Sequence, residues 1–370
     1  LLRGYTNIFH KEAHQMSEDI DTKIIKVNPE MFEDSEIEEA CEILKKNGLV
    51  AFPTETVYGL GGDAMHKEAS AKIYAAKGRP SDNPLIVHIS DRESLKDIAK
   101  EVPDKAVKLM DAFWPGPMTL IFKKTDKVPY STTGGLDTVA VRMPSHPVAR
   151  ELISQSGVYI AAPSANTSGR PSPTKAEHVI EDLSGKIDMI IDGGSVGIGL
   201  ESTIVDVSEE VPVILRPGYI TKSMLEDIVG EVKVDPAIVG ETPKKNIVAK
   251  APGMKYRHYA PKGDMTIVEG SREDVASKIN ELAKQKIDEG CKVAIIATDE
   301  TKEEYKYGIV KSIGSRKTEG SIAAGLYDIL RDMDHIGAQY IYAESFSDDR
   351  LGGAIMNRMI KAAGHHLIHV

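Results

Sequence analysis

Three short segments concentrate side chains suited to binding phosphate. "AAKGRPSDNPLIVHI" (Ala75 to Ile89) holds Lys77, Arg79, Asn83 and His88 within twelve residues, punctuated by Gly78, Pro80 and Pro84. "APSANTSGRPSPT" (Ala162 to Thr174) packs five hydroxyl side chains, Asn166 and Arg170 into thirteen residues. Its small side chains let a ligand approach the backbone, where hydroxyl and amide groups hydrogen-bond phosphate oxygens. "TVAVRMP" (Thr138 to Pro144) alternates. If Val139 and Val141 face a core, Thr138, Ala140 and Arg142 share the opposite face. Lys, Arg, Ser, Thr and Asn recur, and the segments show no spare acid, Cys or metal cluster. That vocabulary suits phosphoryl or nucleotidyl transfer, where positioning and electrostatics supply most of the catalysis. A solvated loop explains the Ser-rich segment equally well by composition. Lys77 at a helix end would also complement the helix dipole.

Two pattern matches fail on context. "GLGGDA" (Gly59 to Ala64) fits the dinucleotide fingerprint, but the preceding strand stops at Pro53 and no acidic strand end follows at the right distance. "GGSVG" (Gly193 to Gly197) fits a nucleophile elbow at Ser195, but a Gly-rich segment and a strand follow instead of the required helix.

The elements that must position these residues are short and mixed. Helices are expected over residues 36–47, capped by Gly48, and over "KEASAKIYAAK", capped by Gly78. Strands are expected at "LVAF", "PLIVHI", "MTLIFKK", "TVAVRM", "VYIAAPSA", "MIIDGG", "STIVDVS" and "PVILRPG". Without a strict βαβ beat, this describes an α/β domain on a twisted mixed sheet. At 370 residues the chain is too long for one ordinary core. The expected division is a catalytic domain over 1–220, a linker over 221–262 and a C-terminal domain over 263–370. Residues 1–15 lack a clear period, and Met16 reads as a natural start. From Met265 strands and helices alternate regularly, as in a small doubly wound (Rossmann-like) parallel domain.

The formal net charge of −10 argues against wholesale nucleic-acid coating but leaves room for a local basic groove. No apolar run approaches the roughly 20 residues of a membrane span, and no signal peptide is evident. Cys41 and Cys291, far apart, read as reduced residues of a cytoplasmic protein.

"FPTETVYGLGGDA", "KGRPSDNPLIVH", "WPGPMTLIF", "TVAVRMP", "APSANTSGRPSPT", "GLESTIVDV" and "ILRPG", in this order, resemble the YrdC-like threonylcarbamoyl-AMP synthase family. "APGMKYRHYAP" and the trailing α/β unit resemble its longer two-domain members. The resemblance implies a YrdC-like sheet around a deep basic cavity. It implies that L-threonine, bicarbonate (or CO2) and ATP give threonylcarbamoyl-AMP and pyrophosphate. The product would feed a separate tRNA threonylcarbamoyl transferase system. Carried over by motif, Lys77, Arg79, Ser164 and Asn166 form the catalytic constellation. Arg79, Asn83, Thr138, Ser164, Ser172 and Arg216 would contact ATP, with Tyr256 closing over it. Thr56, His88, Arg142, Ala162 and Ser202 would contact threonine or its carbamate. Mg²⁺ would enter with the ATP phosphates and take no direct protein ligand. The alternative is an RNA-binding module, which at 5% aromatic residues lacks stacking platforms; a weak RNA contact is compatible with either reading. The C-terminal domain shows no catalytic cluster and is expected to position the linker.

Overall fold

Short apolar runs, stopped by Gly, Pro or charge, become the strands of one large sheet. The computed structural model describes residues 20–239, 250–252, 258–346 and 351–370. Its first eleven strands are β1 (Lys23–Lys26), β2 (Val50–Phe52), β3 (Gly59–Asp63), β4 (Ile86–His88), β5 (Met118–Lys123), β6 (Thr138–Arg142), β7 (Ile160–Ala161), β8 (Met189–Asp192), β9 (Thr203–Asp206), β10 (Val213–Arg216) and β11 (Lys233–Val234). They lie in the order β1-β8-β2-β3-β7-β4-β6-β5-β9-β10-β11. Parallel pairs such as β4–β6 sit beside antiparallel ones such as β5–β6, so the sheet is mixed as expected.

Alternation along the strands sorts side chains between two faces. Ala51, Val87, Val139 and Val141 enter the main core, beneath α2 (Lys67–Lys77), α4 (Asp104–Phe113) and α7 (Ala176–Leu183). Val50, Phe52 and Ile160 point the other way, onto α1 (Glu38–Lys45) and α6 (Pro147–Ser156). Farther along that second face, Ile86, Ile121, Ala140, Ile204 and Leu215 have no such helix layer among the described residues. Ala251 of the linker packs on them instead. The cavity described below lies on this face.

Gly78 ends α2 at φ +60°, as expected. The end of α1 differs: Asn47 takes the left-handed conformation (φ +60°), and Gly48 does not. A Cβ on Gly48 would meet Ile43 Cγ2 at 2.5 Å, so that glycine is kept for close packing. "GLGGD" is itself strand β3, which removes the dinucleotide turn. No helix follows Ser195 directly.

The first part of the stretch expected as a linker, 221–262, is folded. It forms α8 (Lys222–Val229), with Leu225 wholly buried in the main core, and β11, which pairs in parallel with β10. A short helix, α9 (Pro236–Val239), follows, of the same length as α3 (Leu95–Ile98) and α5 (Tyr130–Thr133). The apolar positions Met224, Leu225 and Val229 recur at helical spacing, so a short helix in this stretch is expected, but its packing on the main core is not.

A second sheet holds β12 (Asp264–Glu269), β13 (Val293–Ala297), β14 (Ile309–Ser312), β15 (Tyr340–Glu344) and β16 (Leu367–His369), in the order β14-β13-β15-β12-β16. All four pairings are parallel. The connecting helices are α10 (Arg272–Asp288), α11 (Glu319–Ile336) and α12 (Gly352–Ala362). Strand β16 was not expected: three residues at the chain end carry too little pattern. Among the described residues no helix is long and apolar enough to cross a membrane. Cys41 and Cys291 are both free thiols, and burial first of all pushes Cys41 up to about 11.

Candidate active site

On the second face of the large sheet, the expected residues gather around one cavity. Arg79, His88, Arg142, Ala162, Ser164, Asn166, Ser172, Ser202 and Arg216 all line it. They come from distant parts of the chain: His88, Arg142 and Arg216 end β4, β6 and β10, Ser202 precedes β9, Arg79 follows α2, and Ala162, Ser164, Asn166 and Ser172 lie in the loop after β7. His88 and Arg142 are register partners at the ends of parallel strands β4 and β6, so both project from one edge. Burial, then Arg142, pushes His88 down to about 3, so it is neutral near pH 7.

Arg142 is held rather than free. Its NH2 donates to Glu55 Oε1 at 2.6 Å and its NH1 to Thr56 Oγ1 at 2.9 Å. Thr56 is fully buried and reaches the cavity through this bond. Arg216 donates through Nε and NH2 to Ser202 O, at 3.1 and 2.9 Å. Arg79 reaches Pro84 O at 3.2 Å, and its buried Nε has no partner among the described residues. Burial lowers its pKa to about 10, which leaves it charged at pH 7.

Besides Thr56, three expected residues stand outside the lining. Lys77 is 2% exposed, and its ammonium donates to Ser164 O at 2.5 Å and to Asn166 O. It thus ties the end of α2 to the hydroxyl-rich loop from beneath. Burial, then Arg79, lowers its pKa well below the usual lysine range. Asn83 is buried, its Oδ1 has no partner among the described residues, and its carbonyl accepts from Tyr74. Thr138 begins β6, at the opposite end of the strand from Arg142. Tyr256 lies outside the described residues.

The site contains side chains that the sequence reading passed over. Two carboxylates stand where no spare acid was expected: Glu55 on Arg142 and Glu201 in the cavity wall. Glu201 accepts from Ser172 Oγ at 2.6 Å, from Tyr327 at 2.7 Å and from Arg358 Nε at 3.2 Å. Tyr327 and Arg358 belong to α11 and α12, so the C-terminal domain holds the cavity residue Glu201 from behind without any of its described residues lining the cavity itself. Burial alone would raise the Glu201 carboxyl; Arg358 and Arg216 instead bring it down to about 2. A second contact repeats the pattern: fully buried Arg331 of α11 donates to Asp182 Oδ2 at 2.9 Å and to Pro171 O at 2.7 Å. Asp182 in turn accepts from the Thr167 amide at 3.0 Å and pairs with Arg170. The linker adds Pro252, His258 and Tyr259 to the lining. Tyr259 stacks on Tyr327 at 5.1 Å, and burial, then Arg79, pushes His258 down to about 3. "GLESTIVDV" and "KYRHYAP" contained the signals, but neither could point to partners on α11 and α12.

An α/β cavity lined by arginines, hydroxyls and an amide is the site of a protein that handles a phosphorylated substrate. Residues 42–218 match the Sua5/YciO/YrdC family, described as telomere recombination, and residues 220–364 match the threonylcarbamoyl-AMP synthase C-terminal domain. The chain belongs to this threonylcarbamoyl-AMP synthase family. It is 50% identical over 336 residues to the threonylcarbamoyl-AMP synthase of Bacillus subtilis, covering 90% of this chain and 95% of that one. It is 49% identical to the enzyme of that name from Pyrococcus abyssi, covering 94% of this chain and 100% of the other. The solved structure of P. abyssi Sua5 complexed with L-threonine superimposes with a TM-score of 0.89 at 48% identity, over 94% of this chain and 100% of that one. A P. abyssi Sua5 variant with an adjacent His and Tyr changed to Ala gives the same TM-score over 94% of this chain and 98% of the other.

Proposed function

We propose that the chain makes threonylcarbamoyl-AMP and pyrophosphate from L-threonine, bicarbonate or CO2, and ATP. The observation that carries the reading is the single cavity in which Arg142 and His88 stand at one sheet edge and Arg79 and Arg216 line the same space. The threonine carboxylate pairs with Arg142, replacing part of its bond to Glu55, with Thr56, Ala162 and Ser202 around the side chain. Asn83, Thr138, Ser164, Ser172 and Arg216 hold ATP, together with Arg79.

The threonine amine attacks the carbon of CO2 and loses a proton, giving a carbamate. A carbamate oxygen then attacks the α-phosphorus of ATP in line, and the bond from that phosphorus to the pyrophosphate oxygen breaks. Arg79 neutralises charge that grows on the phosphates. Lys77 acts by fixing the carbonyls of Ser164 and Asn166, which presents their side chains to the nucleotide. Mg²⁺ would add charge neutralisation at the ATP phosphates; Glu201 in the cavity wall and Glu55 beside it are already engaged by arginines and would not be its ligands. His258 and Tyr259 close the site and keep water from the adenylate. The product passes to a tRNA-modifying transferase system in the cytoplasm.

Pyrophosphate release with ATP and Mg²⁺ tests this directly. Strict dependence on both threonine and bicarbonate is expected. Release that ignores threonine would overturn it.

A further inference from the structure

The C-terminal domain carries a cavity of its own, of about 510 Å³, lined by no residue of the catalytic cavity. It opens at the carboxyl ends of β12 and β15, neighbours in the sheet. The chain leaves β12 into α10 and leaves β15 into α12. α10 packs on β12, β13 and β15 beneath Val268, Ile295 and Tyr342, whereas α12 packs with α11 on the other face of the sheet. Adjacent strands whose connections leave in opposite directions make a crevice, and open α/β sheets bind ligands there.

Three carboxylates and two guanidiniums line this crevice; Glu269, partly exposed, pairs with His369 at 3.0 Å, and the other two carboxylates are more fully engaged. Glu344 is buried and already accepts from Thr301, from Tyr305 at 2.8 Å and from Arg316 NH2 at 2.6 Å. Glu300 accepts from Ser315 Oγ at 2.5 Å and from the Arg316 amide at 3.0 Å. The two guanidiniums are anchored but not spent. Arg316 is fixed through NH2 and sits over the Phe346 ring at 4.8 Å. Arg272 is fixed through Nε and NH2 on Glu304 and on Glu300 O. The NH1 group of each has no partner among the described residues. With Glu300 and Glu344 engaged, the donor edges that the two arginines keep favour an anion, and two such edges on separate loops suit the several oxygens of a phosphate. The volume falls within the range of small-molecule sites, far above that of a bare ion. Val275, Tyr305 and Phe346 supply apolar and aromatic wall for the rest of the molecule.

We propose that this crevice binds a nucleoside monophosphate, its phosphate bridging Arg272 and Arg316 and its base lying along the Phe346 wall. The test is amide hydrogen exchange on the full chain with AMP, ribose 5-phosphate, inorganic phosphate and adenosine in parallel. Exchange is read separately in peptides spanning 265–276 and 340–346 and in those around the catalytic cavity. Saturable protection of the crevice peptides by AMP is expected, with affinity at least tenfold above that of the other three. Arg272→Gln and Arg316→Gln, both at partly exposed positions, should each weaken that protection about tenfold or more and leave protection around the catalytic cavity unchanged. AMP protection confined to the catalytic cavity would overturn the proposal, as would crevice protection that survives both substitutions. Equal protection by inorganic phosphate or ribose 5-phosphate would overturn the assignment of a nucleoside.

Discussion

At the scale of single residues, Lys77 and Arg79 look alike in sequence and differ in what they touch. Arg79 lines the cavity with a buried Nε that has no partner among the described residues, whereas Lys77 spends its ammonium on two backbone carbonyls. The two substitutions should therefore fail differently. Arg79→Ala should lower kcat about a hundredfold or more, by the usual cost of removing a preorganised charge-stabilising donor, with Tm close to wild type. Lys77→Met should lower kcat and also cost about 1–3 kcal/mol of unfolding free energy, because it strands two buried acceptors. Denaturant melts beside steady-state kinetics separate the two roles. Equal stability of the two variants would remove the distinction. Arg142→Ala should raise the threonine KM about 10- to 100-fold with the ATP KM within about twofold, because a charged hydrogen bond to the carboxylate is lost. A matching rise in the ATP KM would place Arg142 at the nucleotide instead.

At the scale of elements, the loop between β8 and β9 is held by α11. Gly199 has φ +78°, and a Cβ there would lie 2.5 Å from Ala324 Cα and 2.6 Å from Ala323 O. Helix backbone cannot give way as a flexible side chain would, and the left-handed conformation adds strain for any other residue. Gly199→Ala should destabilise the protein by roughly 2 kcal/mol or more and lower kcat as well, since Glu201 and Ser202 lie two and three residues on. A melt and an assay on the same preparation check it; an unchanged melt would mean that the loop is not packed on α11. Such contacts mark where the sequence stops being legible. Strands β4, β5, β6, β9 and β10 and the Gly78 cap were legible because local period and local breakers determine them. The position of Lys77 at the end of α2 was legible for the same reason, and motif order marked Arg79, Ser164 and Arg216. Glu201 was not, because its partners Tyr327 and Arg358 lie 126 and 157 residues away and a helix face does not name what it will pack against. Asn47, chosen over Gly48 for the left-handed position, was hidden because both residue types tolerate it.

At the scale of the whole molecule, the two domains meet through buried charge. Glu201 faces Arg358 and Asp182 faces Arg331, with both arginines wholly buried. Removing one partner from such a pair costs about 3–5 kcal/mol, because the other charge is left buried alone. The C-terminal domain thus does more than carry the linker: it keeps Glu201 ionised, and Glu201 holds Ser172. The pH dependence of stability reports this. The Glu201 carboxyl sits at about 2 in the folded chain against an ordinary value of 4.5. The unfolded chain therefore takes up this proton first as pH falls. The stabilisation is complete above about pH 5 and is lost between 4.5 and 2. At pH 3.5 the shift predicts a loss of about 1 kcal/mol relative to pH 7 from this group alone. Glu201→Gln cannot titrate, so its unfolding free energy should fall about 1 kcal/mol less than wild type over that interval, although it starts lower at pH 7 because Arg358 has lost its counter-ion. Urea melts of both proteins at pH 7, 4.5 and 3.5 measure the difference. Parallel pH profiles would mean that Arg358 and Arg216 do not hold Glu201 charged, and the C-terminal domain would then be only a mechanical neighbour of the active site.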